Sequence, residues 1–385
     1  MKQSVLVLAS VALAVLLAAT GVVWAEPLAA EDQEGSGQSA ASVTEASQPA
    51  GRVWSWGFNR DGQLGDGTTA NRSTPVRVEG LSGVVDVSSG RQHSLALKTD
   101  GTVWAWGGND AGQLGDGTTA NRITPIRVIG LINVVEVEAG WNHSLALKDN
   151  GTVWAWGNNF QGQLGDGTTT NRRSPVKVDG LGDVVDVSAG GGGGGIGLYN
   201  HSLAVKDDGT VWAWGRTLGE FGDVVNSSKT PTKVSGLNNV ADVEAGWHHS
   251  LALKDNGVVR AWGYNGGGQL RVDGLRAVKD VSGGGGHSLA AMRDRTVQAS
   301  GARSFGQLGV RSLRFVVDVE AGFHHSLAVR SNGTVWGSGE NHFGELGDGT
   351  TTERQQPVRA SGLNTVVDLS SSYNHSLAVA APPEQ

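Results

Sequence analysis

The chain has 385 residues, no cysteine, 60 glycines and a formal net charge of −7. Without cysteine there are no disulfide staples and no thiolate metal sites, so packing alone must stabilise the fold. An acidic balance without a clustered basic run disfavours nucleic acid and anionic lipid as partners, and abundant glycine without a Gly-X-Y period excludes collagen and signals many tight turns.

In chain order, the first expected element is an export segment. Lys2 precedes an almost wholly apolar run from Val5 to Ala19, and Val23-Trp24-Ala25 offers small residues at the two positions a signal peptidase reads. Residues 1–25 are therefore expected to be a secretory signal that places the protein outside the cytoplasm. The alternative is an uncleaved membrane anchor, since Val5 to Ala25 is about 20 residues and could just cross a bilayer. Residues 26–50, rich in Ala, Ser, Glu and Gln, read as a disordered acidic spacer, and residues 382–385 as a short tail.

From Gly51 onward the chain repeats itself. A strand of the form Val-Trp-Ala-Trp-Gly begins at Val53, Val103, Val153, Val211 and Val259, and in worn form at Val297 and Val335. His-Ser-Leu-Ala begins at His93, His143, His201, His249, His287, His325 and His375, so each mark occurs seven times. One unit copied this often signals a solenoid or a propeller. Within a unit four short strands are predicted, over Pro75–Val78, Val84–Val87, His93–Lys98 and Thr102–Trp106. The last two alternate with period two, and Thr99-Asp100-Gly101 between them is a tight hairpin signal. Nothing has helical spacing. Four-stranded antiparallel units of this size are propeller blades.

The region opens with a Trp strand that lacks its His-Ser-Leu-Ala partner and ends with that partner lacking a Trp strand. The two orphans complete each other. The expected fold is all-β: a closed seven-bladed β-propeller over residues 51–381 with four-stranded antiparallel blades, the last completed by both termini, which also removes exposed edges.

The segments Gly-x-x-His-Ser-Leu-Ala, Gly-Thr-Val-Trp-Ala-Trp-Gly and Gly-Gln-Leu-Gly-Asp-Gly-Thr-Thr resemble the repeats of the regulator of chromosome condensation family, over Gly51 to about Val379. The resemblance implies a seven-bladed propeller and leaves function open. The family includes a nuclear exchange factor for the GTPase Ran, and bacterial secreted propellers that inhibit β-lactamases by capping them with one face. Some copies depart from the pattern. The segments Tyr264–Gly286 and Ala302–His324 lack Asp-Gly-Thr-Thr and must form short loops, Arg216–Pro231 is altered, and the insertion Gly191–Leu198 is expected to be mobile.

If Val84–Val87 is innermost, the connection at Arg91-Gln92 and the loop after the Trp strand share one face of the disc. The residues before each repeated His then form a rim bearing Trp141, Tyr199, Trp247, Phe323 and Tyr373, to which the second loop adds Phe58, Phe160, Tyr264 and Phe343. Exposed, such aromatics are a protein-binding surface; the alternative is that they fold inward and fill gaps between blades. The repeated histidines read as scaffold, each bonding a neighbouring backbone carbonyl. Asp66, Asp116, Asp166 and Asp348 read as turn residues, the Trp pairs as packing, and Arg72, Arg122 and Arg172 as braces between loops. No nucleophile, base, metal or cofactor signature stands out, and the unique Arg-rich run Arg293, Arg295, Arg303, Arg311, Arg314 does not look catalytic. The expectation is a monomeric, non-enzymatic module for a protein partner of unknown identity, with no cofactor. Nucleotide exchange and a channel-centred enzyme are the alternatives.

Overall fold

Strict alternation usually leaves one strand face in water, yet His93–Lys98 is buried along nearly its whole length. Each sheet is sandwiched between two neighbours, so Leu95 and Leu97 meet one of them and Ala96 the other. The computed structural model describes residues 50–194, 197–216 and 227–381. The expected signal, spacer and tail lie outside the described residues, as does most of the altered segment after Arg216.

Seven antiparallel sheets succeed one another around an axis. Blade one takes the inner strand Val84–Ser89, then His93–Lys98, Val103–Gly107 and the outer strand Arg122–Arg127. Blade seven takes Val366–Ser371 and His375–Ala380 from the C-terminal end and Arg52–Gly57 and Arg72–Arg77 from the N-terminal end. Val53 sits opposite Val379 and Trp56 opposite Ser376, so the orphan strands close the ring in register. In blades four and five the outer strand is absent and a short 3-10 turn stands in its place, at Gln269–Val272 and Gln307–Ser312. These are the two copies whose loops lack Asp-Gly-Thr-Thr.

The core lies between blades. Leu95, Leu97 and Val103 of blade one pack with Val134, Val137 and Trp156 of blade two. In the four copies that carry a pair of tryptophans, the two have different work. Trp56, Trp106, Trp156 and Trp214 are fully buried. Each indole donates to a carbonyl of the preceding copy's loop, as Trp106 Nε1 does to Gln63 O at 2.8 Å. In three of these copies the first Trp is half-buried under a lysine, as Lys98 Nζ lies 5.9 Å from the Trp104 ring.

The repeated histidines join blade to blade, through a serine hydroxyl and not the expected carbonyl. His93 Nε2 is 3.0 Å from Ser144 Oγ, His143 Nε2 3.0 Å from Ser202 Oγ, and His201 Nε2 3.1 Å from Ser250 Oγ. His249 and His287 reach Ser288 and Ser326, each at 2.8 Å. His325 takes Ser371 instead, at 2.7 Å, and His375 returns to Ser94 at 3.0 Å. Ser144 Oγ already donates its proton to Gln113 O at 2.9 Å, so the imidazole Nε2–H must donate to the serine. The glycine of Gly-x-x-His follows from this: a Cβ on Gly90 would lie 2.4 Å from the His93 ring.

Burial, followed by the field of the neighbouring histidines, depresses the His93 pKa to about 3, and burial holds His143, His249, His287, His325 and His375 at the same level. The unfolded chain takes up protons on these rings below about 6.5, which the folded chain refuses until about 3. Their contribution is therefore complete above pH 6.5 and is lost as pH falls toward 3. Acid titration followed by near-UV circular dichroism should show cooperative unfolding in that window; a flat signal down to pH 3 would contradict neutral, buried imidazoles. His143→Ala should destabilise the fold by roughly 2–4 kcal/mol, from the lost bond and the cavity, measured by denaturant unfolding.

Candidate functional site

One face of the disc is built from the loop before each repeated His and the loop after each Trp strand. They touch: Gly108 N donates to Gln92 O at 2.6 Å and Asn158 N to Asn142 O at 2.8 Å. The parity argument therefore places them correctly on one face.

The second loop is a self-contained brace. Asn59 Nδ2 donates to Asp66 Oδ1, Thr68 O and Ala70 O at 3.0–3.2 Å, and Asn59 Oδ1 accepts Leu64 N at 2.9 Å. Asp66 also accepts the Thr68 amide and hydroxyl and Arg72 Nε at 2.7 Å. Partial burial works to raise the Asp66 carboxyl, but the Thr68 and Arg72 hydrogen bonds outweigh it and hold the pKa below its ordinary value. Asn109, Asn159 and Asn341 repeat the arrangement with Asp116, Asp166 and Asp348. Each carboxylate is thus engaged by its own loop, and Arg72, Arg122 and Arg172 brace that loop and not a neighbouring one. Residues that leave the brace are free to differ. Phe160 is 73% exposed and Tyr264 40% exposed. Phe160 borders a groove of about 420 Å³ with Asp110, Thr119, Thr170, Asn171 and Arg173. Phe58 and Phe343 are half-buried and pack edge to face between the loops of blades seven and six, 4.8 Å apart, so the four second-loop aromatics do not form one surface.

The five aromatics before the histidines do not form the expected exposed rim. Trp141, Tyr199 and Trp247 are at most 8% exposed, and Phe323 and Tyr373 are half-buried. Nor do they fill gaps between blades. Trp247 stacks on Phe323 at 3.9 Å and on Tyr373 at 5.3 Å, and meets Trp141 edge on at 4.6 Å. Four rings converge over the axis and plug it. The two copies without an aromatic fit the same plug: Arg91 lays its guanidinium 4.6 Å from the Trp141 ring, and a Cβ on Gly285 would lie 2.4 Å from Phe323. Sevenfold symmetry is abandoned because seven rings cannot share one axis. Tyr199 packs to the side, under Arg216 at 4.5 Å.

The polyglycine insertion is likewise not a loose loop where it is described. Gly190–Gly194 pair with His201–Gly197 as a two-stranded extension of blade three. A Cβ on Gly192 would lie 2.6 Å from the Trp247 ring, so only a bare backbone passes over the plug.

Beneath the plug, one position of the inner strands reads Ser88, Glu138, Ser188, Glu244, Ser282, Glu320 and Ser370 around the ring. The serines bind the next blade, as Ser88 Oγ accepts Ala139 N at 2.9 Å and Ser188 Oγ accepts Ala245 N at 3.0 Å. Two residues earlier, Asp368 accepts Val87 N and Asp186 accepts Val243 N, both at 2.9 Å. Burial, then the field of Asp86, pushes the Asp368 carboxyl well above its ordinary value. Sequence reasoning missed this acidic lining, although the alternation is visible once the inner strands are aligned. The space it encloses is about 50 Å³, room for a few waters. Among the described residues no group of three or more His, Asp or Glu is disposed to hold a metal ion.

One loop carries a carboxyl where its sisters carry an amide. Gln63, Gln113 and Gln163 accept a loop amide through Oε1; Glu345, fully buried, accepts Phe343 N at 2.9 Å in the same slot. Burial raises Glu345 to about 7.

This is a closed propeller of interlocked repeats with a plugged axis and a face of braced loops. The chain belongs to the Regulator of chromosome condensation (RCC1) repeat family, whose repeat matches residues 50–97, 100–147, 150–194, 208–253 and 332–379. A segment of 49 residues is 53% identical to Protein RCC2 of Homo sapiens, covering 12% of this chain and 9% of that protein. The RCC2 homolog of Danio rerio is 49% identical over 49 residues, so the match spans about a tenth of these relatives. Among solved structures, Prp20p of Saccharomyces cerevisiae is 22% identical with a TM-score of 0.74, covering 88% of this chain and 93% of that one. Human WBSCR16 is 23% identical with a TM-score of 0.73, covering 87% and 100%. At such identities the likeness establishes the fold.

Trp247→Ala should destabilise the protein by roughly 3–5 kcal/mol, because the plug loses its central ring. Glu345 behaves in the opposite sense to the histidines. Its folded pKa of about 7 lies above its unfolded value of 4.5, so stability falls as pH rises between them. Glu345→Gln should remove that loss and raise stability by roughly 2–3 kcal/mol above pH 7, with no gain at pH 4; equal effects at both values would rule out a protonated carboxyl.

Proposed function

We propose that this propeller is a non-enzymatic module that binds another protein with its braced-loop face. The observation that carries the reading is the separation of roles in those loops. Asn, Asp, Thr and Arg of each brace bond one another, while Phe160 projects into solvent beside a groove and Tyr264 is exposed on the loop where a 3-10 turn replaces the brace. Large exposed aromatics on a rigid, polar frame are what protein interfaces use as anchors. The plugged axis and its small enclosed space argue against an enzyme whose substrate enters the channel.

The same reading keeps the protein outside the cytoplasm, supported by the apolar run after Lys2 and the small residues before Glu26. Its likeness to the secreted propellers that cap β-lactamases is one of surface type alone and carries no target over. Guanine-nucleotide exchange is the second reading. It is favoured by family membership and by the fold shared with Prp20p, a protein studied for its binding to Gsp1p and histones.

The test uses a partner captured by the immobilised full chain and then purified. Phe160→Ala with Tyr264→Ala should leave the melting temperature within about 2 °C, since surface changes cost little, yet weaken that partner's binding at least about tenfold. Unchanged affinity in the folded double variant would sink the reading. Accelerated nucleotide release from a purified GTPase would establish the alternative.

A further inference from the structure

The opposite face carries the hairpins between the second and third strands, and five of them end in a left-handed glycine: Gly101, Gly151, Gly209, Gly257 and Gly333. The blade-five hairpin has Arg295 there, at φ 66°. Its facing residue is also abnormal. Gly83, Asn133, Asp183, Asn239 and Ala277 fill the equivalent left-handed position elsewhere, and here it is Phe315, at φ 62° and 58% exposed. A bulky residue in this conformation is a true outlier, and two oppose each other: Val316 N donates to Arg295 O at 3.0 Å. The corner is crowded, since a Cβ on the corresponding Gly101 would lie 3.0 Å from Asn133 Cα. Such strain persists only where the surrounding structure holds it, and it clusters at functional sites.

Charge is inverted at the same corner. Asp149, Asp207 and Asp255 precede the turn in three sister hairpins, and Arg293 takes that place here. Arg314 bridges to Thr296 beside Arg295, Lys279 donates to Val317 O at 3.2 Å, and the Arg330 guanidinium lies 5.8 Å from the Phe315 ring. Lys279, Arg293, Arg295 and Arg314 are exposed, with Asp294 the acid among them. Asp294 is already held by the Thr296 amide and hydroxyl. Arg314 and Arg330 bond backbone carbonyls, in contrast to Arg72 and Arg122, which pair with loop carboxylates.

We propose that this corner of blades five and six is a second docking site, for an acidic segment of a partner protein anchored on Phe315. Guanidinium forks match carboxylates two bonds at a time, and an exposed aromatic beside them supplies apolar contact. A long polyanion is a poorer fit. The corner belongs to a chain whose net charge is −7, which disfavours a long run of phosphates.

The sister copies supply the test. Arg293→Asp, Arg295→Gly and Phe315→Asn restore residues that other copies carry. The full chain should bind a fluorescein-labelled, Glu-rich peptide with a central Leu by anisotropy at low salt, and its Gln-for-Glu analogue at least about tenfold more weakly. The triple variant should lose binding at least about tenfold while its melting temperature rises, because strain is relieved. A merely structural role would move both in the same direction. Unchanged peptide affinity in the triple variant would overturn the proposal. So would a melting temperature lowered by Arg295→Gly alone, or tighter binding of a short DNA duplex or phosphatidylserine vesicles than of the peptide.

Discussion

The structure depends on one hydrogen-bonded circle. Each repeated histidine hydrogen-bonds a serine across a blade boundary, and where that serine donates onward to a loop carbonyl, as Ser144 and Ser202 do, the imidazole is the donor. Buried polar groups are tolerable only when bonded, and here the bond can be made only by the adjacent blade. Blade seven cannot be left open, because His375 would lose Ser94 and His325 would lose Ser371. The same requirement fixes the glycine three residues before five of the imidazoles, Gly90, Gly140, Gly246, Gly284 and Gly322, and keeps the rings neutral. Closure is thus a chemical demand as well as a topological one.

With cohesion supplied between blades, the exposed residues of the loops bear little of the stability. The Asn-Asp-Thr-Arg brace makes each long loop rigid by itself, which explains why blades four and five can replace it with a 3-10 turn and keep their inner strands. Function is thereby separated from folding at the level of single residues. The braces repeat, and Phe160, which stands on one, and Tyr264, on a loop without one, do not.

The axis shows the limit of repetition. Seven equivalent positions converge there, and identical aromatics could not all occupy it. The chain solves this by breaking symmetry: Trp247 takes the centre, Phe323 and Tyr373 stack on it, Gly285 and Arg91 yield space or cap an edge, and bare glycines of the blade-three extension pass over the top. Inner-strand serines and glutamates alternate below, with the serines stitching neighbouring blades. Departures from the repeat therefore mark either the axis or a surface such as the Arg295–Phe315 corner.

Blade number, strand order and ring closure were legible in the sequence because they follow from copy count, period-two alternation and complementary orphan strands. The sharing of one face by the two loops was legible too, from antiparallel parity. What each copied side chain meets was not. A histidine that reaches the next blade's serine, an arginine that braces its own loop, and tryptophans that gather at the axis all depend on distances across blade boundaries. Local pattern carries no information about those. The exposed-rim reading of Trp141, Tyr199, Trp247, Phe323 and Tyr373 failed for this reason: a one-dimensional repeat treats seven positions as equal, and only in three dimensions do they compete for the same space.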